Sequence, residues 1–183
     1  MTAFALGSLS GRSARSQLDL LAPTTRAALE AADLLDQVGV VEIDPAISDT
    51  AATQAAFGLD GEMLANCVVV AGRREGDERV AACVVLATTR ADVNGTVKRL
   101  LDVRKASFLP MERAVELTGM EYGGITPIGL PSGWPVLVDS RVTTVPLVVI
   151  GSGVRRSKIL VPGALLGHLP GARVIEGLGL SQA

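Results

Sequence analysis

A glycine- and proline-rich loop, EYGGITPIGLP at residues 121–131, has the composition of a rigid binding loop. Its three glycines can adopt backbone angles that are closed to residues with a Cβ, and its two prolines fix φ and remove N–H donors. A loop of this kind can offer main-chain N–H groups to a ligand carbonyl or anion. The alternative is a pair of tight turns that joins a helix to a strand. The residues concerned are Gly123, Gly124, Pro127, Gly129 and Pro131.

Basic residues concentrate in the second part of the chain, although the formal net charge is only −2. Residues 1–65 carry nine acidic and three basic residues, a balance of −6, whereas residues 66–183 carry fourteen basic and ten acidic residues, a balance of +4. Clusters of bases that share one face would attract phosphate groups. Because acidic residues lie among them, an ordinary solvated surface is the alternative. The clusters are Arg73, Arg74 and Arg79; Lys98, Arg99, Arg104 and Lys105; and Arg155, Arg156 and Lys158.

The side-chain sets of common hydrolases and metal centres are missing from the sequence. With one histidine, His168, and no Gly-x-Ser-x-Gly motif, neither a Ser–His–acid triad nor a Cys–His pair is supported. Cys67 and Cys83 lie in valine-rich runs, which predicts buried, reduced thiols. The carboxylates are scattered, so we expect no metal and no cofactor. An enzyme built from these residues must position and polarise an already reactive bond, such as an ester.

Composition narrows the class of protein further. The aromatic share is only 3%, so a base-stacking platform built from several aromatic residues is not expected. No apolar run reaches the roughly 18–20 residues that would span a bilayer. We therefore expect a soluble, cytoplasmic protein with no membrane contact.

The pattern of elements predicts an α+β fold, because strands outnumber helices and the helices interrupt them irregularly. Residues 1–22 have no clear period and predict a flexible lead-in, followed by a single domain over 23–183. Predicted helices cover 23–39, 48–57, 90–101, 110–118 and 163–169. Predicted strands cover 40–44, 66–72, 79–88, 105–108, 134–139, 146–151, 157–162 and 172–177, with a hairpin and a longer loop between the second and third.

The order of these motifs resembles the YbaK/EbsC family, also called the prolyl-tRNA synthetase-associated or aminoacyl-tRNA deacylase domain. The resemblance covers roughly residues 48–177, and its most specific part is GGITP at 123–127. Lys105 and Phe108 before that loop and Asp139 after it strengthen the match. The resemblance implies a mixed, partly closed β-sheet wrapped by helices, with a pocket that hydrolyses the ester of wrongly charged tRNA.

The resemblance also implies roles for individual residues. Asn66, Gly124 and Asp139 take the catalytic positions, although Asp139 is equally well explained as a helix cap or turn former. The tRNA's terminal ribose and an ordered water take part in the chemistry, and an aminoacyl-tRNA synthetase is a further expected partner. The predicted substrate-binding residues are Gly123, Ile125, Thr126, Pro127, Gly151, Ser152 and Gly153. The predicted tRNA-contacting residues are Lys98, Arg99, Arg104, Lys105, Arg155, Arg156 and Lys158.

One position departs from the family pattern. Members with editing activity have a lysine at the start of the strand that matches NCVVV, and this chain has Asn66 there. An amide is shorter than an ammonium and neutral, so the exchange removes a charged contact from the expected pocket. Asn66 either supplies neutral hydrogen bonds to a substrate, or marks a pocket that binds without catalysis, or caps the preceding GEMLA segment.

The resemblance therefore implies an aminoacyl-tRNA deacylase that acts in trans on mischarged tRNA. The alternative is a non-catalytic binding module that recognises tRNA ends, an amino acid or a synthetase partner, because of Asn66. A third interpretation is a domain whose glycine-rich loop is structural only.

Overall fold

A computed structural model describes residues 4–182 of the protein. Its six α-helices are α1 (Pro23–Ala31), α2 (Thr50–Phe57), α3 (Lys98–Leu101), α4 (Met111–Thr118), α5 (Ser140–Thr143) and α6 (Gly163–Leu166) within these described residues. The strands are β1 (Phe4–Leu6), β2 (Leu9–Ser13), β3 (Gly39–Glu42), β4 (Ala65–Arg74), β5 (Asp77–Leu86), β6 (Thr89–Ala91), β7 (Ala106–Phe108), β8 (Val136–Asp139), β9 (Val148–Gly151), β10 (Ser157–Val161), β11 (Ala172–Ile175) and β12 (Gly179–Ser181).

The strands form two five-stranded sheets that curl into a half-barrel. One sheet has the order β1-β2-β3-β10-β9, the other has the order β11-β8-β5-β4-β7, and β12 pairs with β6. A parallel bridge between Leu64 and Val149 joins the sheets where β4 begins beside β9. Valines, leucines and isoleucines from both sheets fill the space between them, as expected for a core so poor in aromatic residues. The predicted α+β class, with a mixed, partly closed sheet and helices around it, is confirmed.

The prediction of a flexible lead-in over residues 1–22 is wrong for the part that the structure describes. β1 and β2 form a hairpin, and β2 pairs with β3. Phe4 and Leu9 are buried in one apolar cluster with Leu160. A Cβ at Gly39 would lie 2.4 Å from Phe4 Cβ, so the absence of a side chain at that position makes room for the phenylalanine. These contacts are distant in sequence, and the local composition gave no sign of them.

Two further element predictions are corrected. The β4–β5 hairpin closes with a tight turn at Glu75 (φ 52°) and Gly76 (φ 91°), because its charged residues continue the strand pairing instead of forming a longer loop. The predicted helix over 90–101 is divided. β6 takes its first residues, Asp92 accepts hydrogen bonds from the Gly95 and Thr96 N–H groups, and an irregular helical turn over Val93–Val97 leads into α3.

The edge of β4 is open between two contacts, and this opening positions the site. On one side, β4 pairs with β5 over its whole length. On the other side, Leu64 meets β9, and pairing with β7 begins only at Val70. The sheet therefore has a gap beside residues 65–69.

A helix that spans a bilayer must have both sufficient length and sufficient hydrophobicity. Among residues 4–182, none of the helices meets both requirements for a membrane span.

Candidate functional site

A cavity of about 310 Å³ lies at this gap in the sheet. Its walls come from β4, β9 and β10, from the start of α2, from α4 and from the loop at 121–131. The lining residues are Ser48, Asp49, Thr50, Leu64, Ala65, Asn66, Cys67, Val68, Val69, Phe108, Leu109, Ala114, Tyr122, Gly123, Ile125, Val149, Ile150, Gly151 and Lys158.

The open edge of β4 directs main-chain groups into this cavity. Leu64 C=O accepts from Ala87 N–H beyond the end of β5, whereas Val69 C=O accepts from Leu109 N–H beyond the end of β7. Because peptide groups alternate between the two edges of a strand, Cys67 shares the edge of Val69. The N–H and C=O of Cys67 therefore face the open side, where they can bond to a ligand as a neighbouring strand would. The Cys67 thiol stays neutral, because burial and the nearby Cys83 raise its pKa well above the usual range.

Asn66 lines the cavity, as the sequence predicts. The helix α2 begins beside it, with Asp49 as the N-cap, whose carboxylate accepts from the Ala52 N–H at 2.8 Å. The Thr50 hydroxyl donates to the amide oxygen of Asn66, which leaves the Asn66 NH₂ as a neutral donor. The preceding turn, Gly61–Met63, is capped by Asp60 and not by Asn66.

Lys158 is the cation of the cavity, and sequence reasoning placed it instead among surface residues. It lies on β10, directly opposite Gly151 of β9, and is only 7% exposed. Its Nζ donates to the Ser48 C=O at 2.6 Å. Burial lowers the pKa of Lys158 to about 8; Asp49 acts against this shift and Arg155 adds to it. The signal in the sequence was a single lysine inside the apolar strand SKILVP, which the neighbouring arginines obscured.

The glycine-rich loop is braced against the turn that follows β9. Gly124 N–H donates to Glu121 C=O at 3.0 Å, and Gly153 N–H donates to Gly124 C=O at 2.7 Å. A Cβ on Gly124 would lie 2.6 Å from Val154 O, and a Cβ on Gly151 would lie 2.5 Å from Gly124 O. These glycines therefore allow two backbones to pack closely, which sets the position of the cavity wall.

The structure brings only part of the predicted substrate set into the cavity. Gly123, Ile125 and Gly151 line it, whereas Gly124, Thr126 and Pro127 are buried behind the wall. Ser152 is also buried, and its hydroxyl bonds with Ser157 at 2.7 Å. Ser152 and Gly153 are not among the residues that line the cavity.

Asp139 lies outside the cavity and caps α5. Its carboxylate accepts from the Arg141 N–H, Nε and Nη2 groups at 2.9 Å each and from Gly179 N–H at 2.6 Å. Burial raises the pKa of Asp139, but the hydrogen bonds from Arg141 and Gly179 outweigh this effect, and the net pKa lies below the usual value. The helix cap that the sequence left open as an alternative is the arrangement observed.

The predicted tRNA-contacting residues come from several elements. Arg104 and Lys105 line an open groove of about 390 Å³ that shares Phe108 and Leu109 with the cavity. Arg155 donates to Pro45 C=O at 3.0 Å, and Arg156 donates to Asp19 C=O. Lys98 and Arg99 belong to α3.

Comparison with known proteins identifies the family. The sequence model of the family described as the aminoacyl-tRNA editing domain matches residues 44–167, most of the chain. The chain belongs to the aminoacyl-tRNA editing domain family. The resemblance found in the sequence is thereby confirmed. No curated protein matches the sequence of this editing domain.

Solved structures support the same assignment. The editing domain is 25% identical, with a TM-score of 0.72, to a crystal structure described as a proposed trans-editing enzyme for prolyl-tRNA synthetase; the match covers 89% of this chain and 99% of the other. A hypothetical protein at 21% identity has a TM-score of 0.73, with coverage of 86% and 99%. A Marinobacter aquaeolei protein described under signal transduction matches at 18% identity and a TM-score of 0.55, over 86% of this chain and 30% of the other. The last two similarities show the fold alone.

Two exposed aromatic residues stand at the mouth of the editing domain's cavity. Phe108 is 61% exposed and Tyr122 is 55% exposed, and both line the cavity. The low aromatic content suggested that no stacking platform would form. The curled sheet nevertheless brings the end of β7 and the glycine-rich loop together, so that two of the few aromatic side chains meet at one opening.

Proposed function

We propose that this editing domain is a deacylase that hydrolyses the ester of mischarged tRNA in trans. The single observation that supports the proposal best is the cavity itself. It combines an open strand edge at Cys67, the neutral donor of Asn66 and the ammonium of Lys158. These are the groups needed to hold and polarise a carbonyl oxygen.

The proposed reaction needs little from acidic or basic side chains. A water oxygen bonds to the carbonyl carbon of the aminoacyl ester, the bond to the ribose oxygen breaks, and the proton of the water passes to that oxygen. The products are a free amino acid and uncharged tRNA. Within the described residues, the ionisable groups that line the cavity are Asp49, Cys67, Tyr122 and Lys158. Asp49 is exposed at the mouth and suits the α-ammonium of the acyl group.

An apolar wall of the cavity favours a small, uncharged acyl side chain. Val69, Leu109, Ala114 and Ile125 meet there in one apolar cluster. A charged side chain placed against this wall would lose its hydration without gaining a partner. Since the structure at 25% identity is described as serving prolyl-tRNA synthetase, tRNAPro carrying a wrong small amino acid is the first substrate to test.

The groove beside the cavity suits the acceptor end of tRNA. Arg73, Arg104 and Lys105 line this groove, and Phe108 stands between it and the cavity. Cations can follow the phosphates of a single strand while an exposed ring stacks on a base. An acceptor end in this groove would carry its terminal ester to the cavity mouth.

A deacylation panel tests the proposal. The full chain is incubated with tRNAPro and other tRNAs that carry labelled alanine, serine, cysteine, proline, leucine or aspartate, and loss of the label is compared with loss in buffer. We expect faster loss from at least one small uncharged aminoacyl group and none from aspartyl-tRNA. Background rates across the panel at high protein concentration would contradict the proposal.

A second candidate is a binding module that retains the pocket without hydrolysis. Asn66 motivates it, because its amide oxygen already accepts from Thr50 and no ammonium stands at that position. The variant Asn66→Lys separates the two functions. A wild-type chain that binds aminoacylated RNA without cleaving it, together with a variant that gains cleavage, would favour the binding module.

A further inference from the structure

We propose that Lys158 is the oxyanion-binding residue of this pocket: its ammonium, supplied by β10, holds the ester carbonyl oxygen as negative charge develops on it. This inference rests on the proposed hydrolytic function and assigns its main electrostatic contact. The cationic residue then comes from β10, whereas the family resemblance placed a lysine on β4, at the position of Asn66.

The register of the strands puts Lys158 and Asn66 on one face of the curled sheet. Lys158 is paired with Gly151 across β9 and β10. Gly151 lies two residues after Val149, and Asn66 lies two residues after Leu64, its parallel bridge partner. Positions 66, 151 and 158 therefore face the same side of the curled sheet, and all three line the cavity.

Gly151 lets the glycine-rich loop pack against the strand between the other two residues. A Cβ at Gly151 would lie 2.5 Å from Gly124 O and 2.6 Å from Ile125 O, so a side chain there would displace the loop that forms the cavity wall. Asn66 on β4 and Lys158 on β10 line this cavity from the two sides of β9. A carbonyl group bound between them would receive a cationic donor from one side and a neutral donor from the other.

The ammonium of Lys158 has unused hydrogen-bonding capacity. An ammonium has three donors, and Ser48 C=O takes one of them at 2.6 Å. Over residues 4–182, none of the ion pairs involves Lys158. A buried cation with a single neutral acceptor is poorly compensated, and a substrate oxygen that gains negative charge would complete its coordination.

Burial brings the pKa of Lys158 close to physiological pH. Asp49 from the start of α2 and Arg155 from the loop before β10 act on it in opposite directions. Cys67 of β4 and Tyr122 of the glycine-rich loop complete the titratable groups of the cavity wall in the described residues. Burial sets the pKa of Lys158 at about 8, so the ammonium form prevails at pH 7 and declines above pH 8.

The alternative is that Lys158 only anchors the Ser48 carbonyl at the entrance to α2. Three substitutions separate the two roles. Lys158→Met keeps the volume and removes the charge, Lys158→Gln keeps a neutral donor for Ser48, and Lys158→Arg keeps a charge that does not titrate. Arg173→Met is the matched control, because Arg173 is an exposed cation on β11, outside the cavity and the groove.

The experiment measures kcat and KM on the best substrate of the panel, with folding checked by circular dichroism. We expect Lys158→Met and Lys158→Gln to lower kcat by about 100-fold or more with little change in KM, as for the loss of an oxyanion donor. Arg173→Met should match the wild type. After subtraction of spontaneous hydrolysis, wild-type kcat should fall above pH 8, and the residual activity of Lys158→Arg should lack this fall.

Several results would overturn the inference. These are folded Lys158→Met with wild-type kcat, a raised KM with kcat unchanged, or Lys158→Gln that restores full activity. A binding test separates this failure from failure of the proposed function, using the 3′-(1-aminoethyl)phosphonate ester of adenosine, whose anionic oxygen mimics the oxyanion of the tetrahedral intermediate. If the wild-type chain shows no hydrolysis, tight binding of this analogue that Lys158→Met weakens at least tenfold would still support Lys158 as the carbonyl contact. Equal binding by both proteins would reject it.

Discussion

Lys158 and Asp139 are both buried charged residues, and they differ in how far the protein satisfies them. Asp139 is 0% exposed, and its carboxylate receives hydrogen bonds from three Arg141 donors and from Gly179 N–H. Lys158 donates to one carbonyl and faces a cavity. The saturated carboxylate holds β8, α5 and the start of β12 together, whereas the unsaturated ammonium is available to a ligand.

This difference is a better guide to function than sequence position. Both residues belong to strands, at the last residue of β8 and the second residue of β10. A buried charge whose partners all come from the chain contributes to folding, while one with unused donors at a cavity costs stability that a bound substrate would offset.

The largest expected effect is on folding, from Asp139→Ala. The substitution would leave the buried Gly179 N–H without its acceptor and remove the cap of α5, whereas the freed Arg141 side chain is 43% exposed and can be solvated, so we expect a loss of about 2–4 kcal/mol in the free energy of unfolding. Urea denaturation measures it. Glu30→Ala is the control, since Glu30 pairs with Arg26 on the exposed face of α1 and should change stability by less than about 1 kcal/mol. A change of under about 1 kcal/mol for Asp139→Ala would contradict the structural role.

The pH dependence of stability follows from the same carboxylate. Because the pKa of Asp139 is lower in the folded chain than in the unfolded one, its contribution is present above the unfolded value and is lost as pH falls through the folded value. As the pH falls below 4, the free energy of unfolding should decrease more for the wild type than for Asp139→Ala, because the variant lacks this contribution. Parallel stability curves for the two proteins would contradict the assignment.

Lys158→Met should not lower the free energy of unfolding as Asp139→Ala does. Removal of a poorly compensated buried charge is expected to leave the free energy of unfolding at pH 7 unchanged or to raise it by up to about 3 kcal/mol. The folded pKa of Lys158 is about 8 against an ordinary 10.5, so the unfolded chain binds the extra proton between these values. Wild-type stability should therefore rise with pH across this window, and the rise should be absent from Lys158→Met. A strong loss of stability in the variant at pH 7 would show that Lys158 is structural, like Asp139.

Local signals allowed a large part of the fold to be predicted from sequence. The helix α2 was predictable because Asp49 caps its start and Gly58, in the left-handed conformation, ends it. The β4–β5 hairpin was predictable from two valine-rich runs, apart from its turn. β1 and β12 were not, since each is a three-residue strand that is stabilised by pairing with a neighbouring strand, and its own sequence has no distinguishing pattern.

The site was less predictable than the fold, for a physical reason. Gly123, Ile125, Gly151 and Asn66 come together as the family resemblance implied, but the charge of the cavity comes from a residue that the sequence groups with Arg155 and Arg156. Which face of a strand points inward depends on the curl of two sheets around one bridge. A lysine that closely follows two arginines gives no sign of this until its strand partners are known.

Gly124→Ala tests whether the loop supports the cavity wall through close packing. The new Cβ would lie 2.6 Å from Val154 O and 2.7 Å from Val154 C, and a backbone cannot rotate away as a side chain can. We expect a loss of about 1–3 kcal/mol in stability and a larger loss of activity, because the loop must shift. Gly133→Ala is the control. Gly133 has φ 86° and an alanine Cβ there would meet nothing within 4 Å, so it should show backbone strain alone, with activity unchanged. Wild-type activity in Gly124→Ala would contradict the packing argument.

The smallest expected effect concerns exposed cations, and it compares the two edges of one sheet. Lys105 precedes β7 and lines the groove at one edge, whereas Arg173 lies on β11 at the other. If the acceptor end follows the groove, Lys105→Ala should weaken tRNA binding a few-fold and reduce the dependence of log Kd on log salt by about 0.7, the value for one phosphate of a single strand. Arg173→Ala should change neither quantity, and stability should stay within about 0.5 kcal/mol of wild type for both variants. Equal losses at the two edges would mean that tRNA binding depends on total charge and not on a path to the cavity.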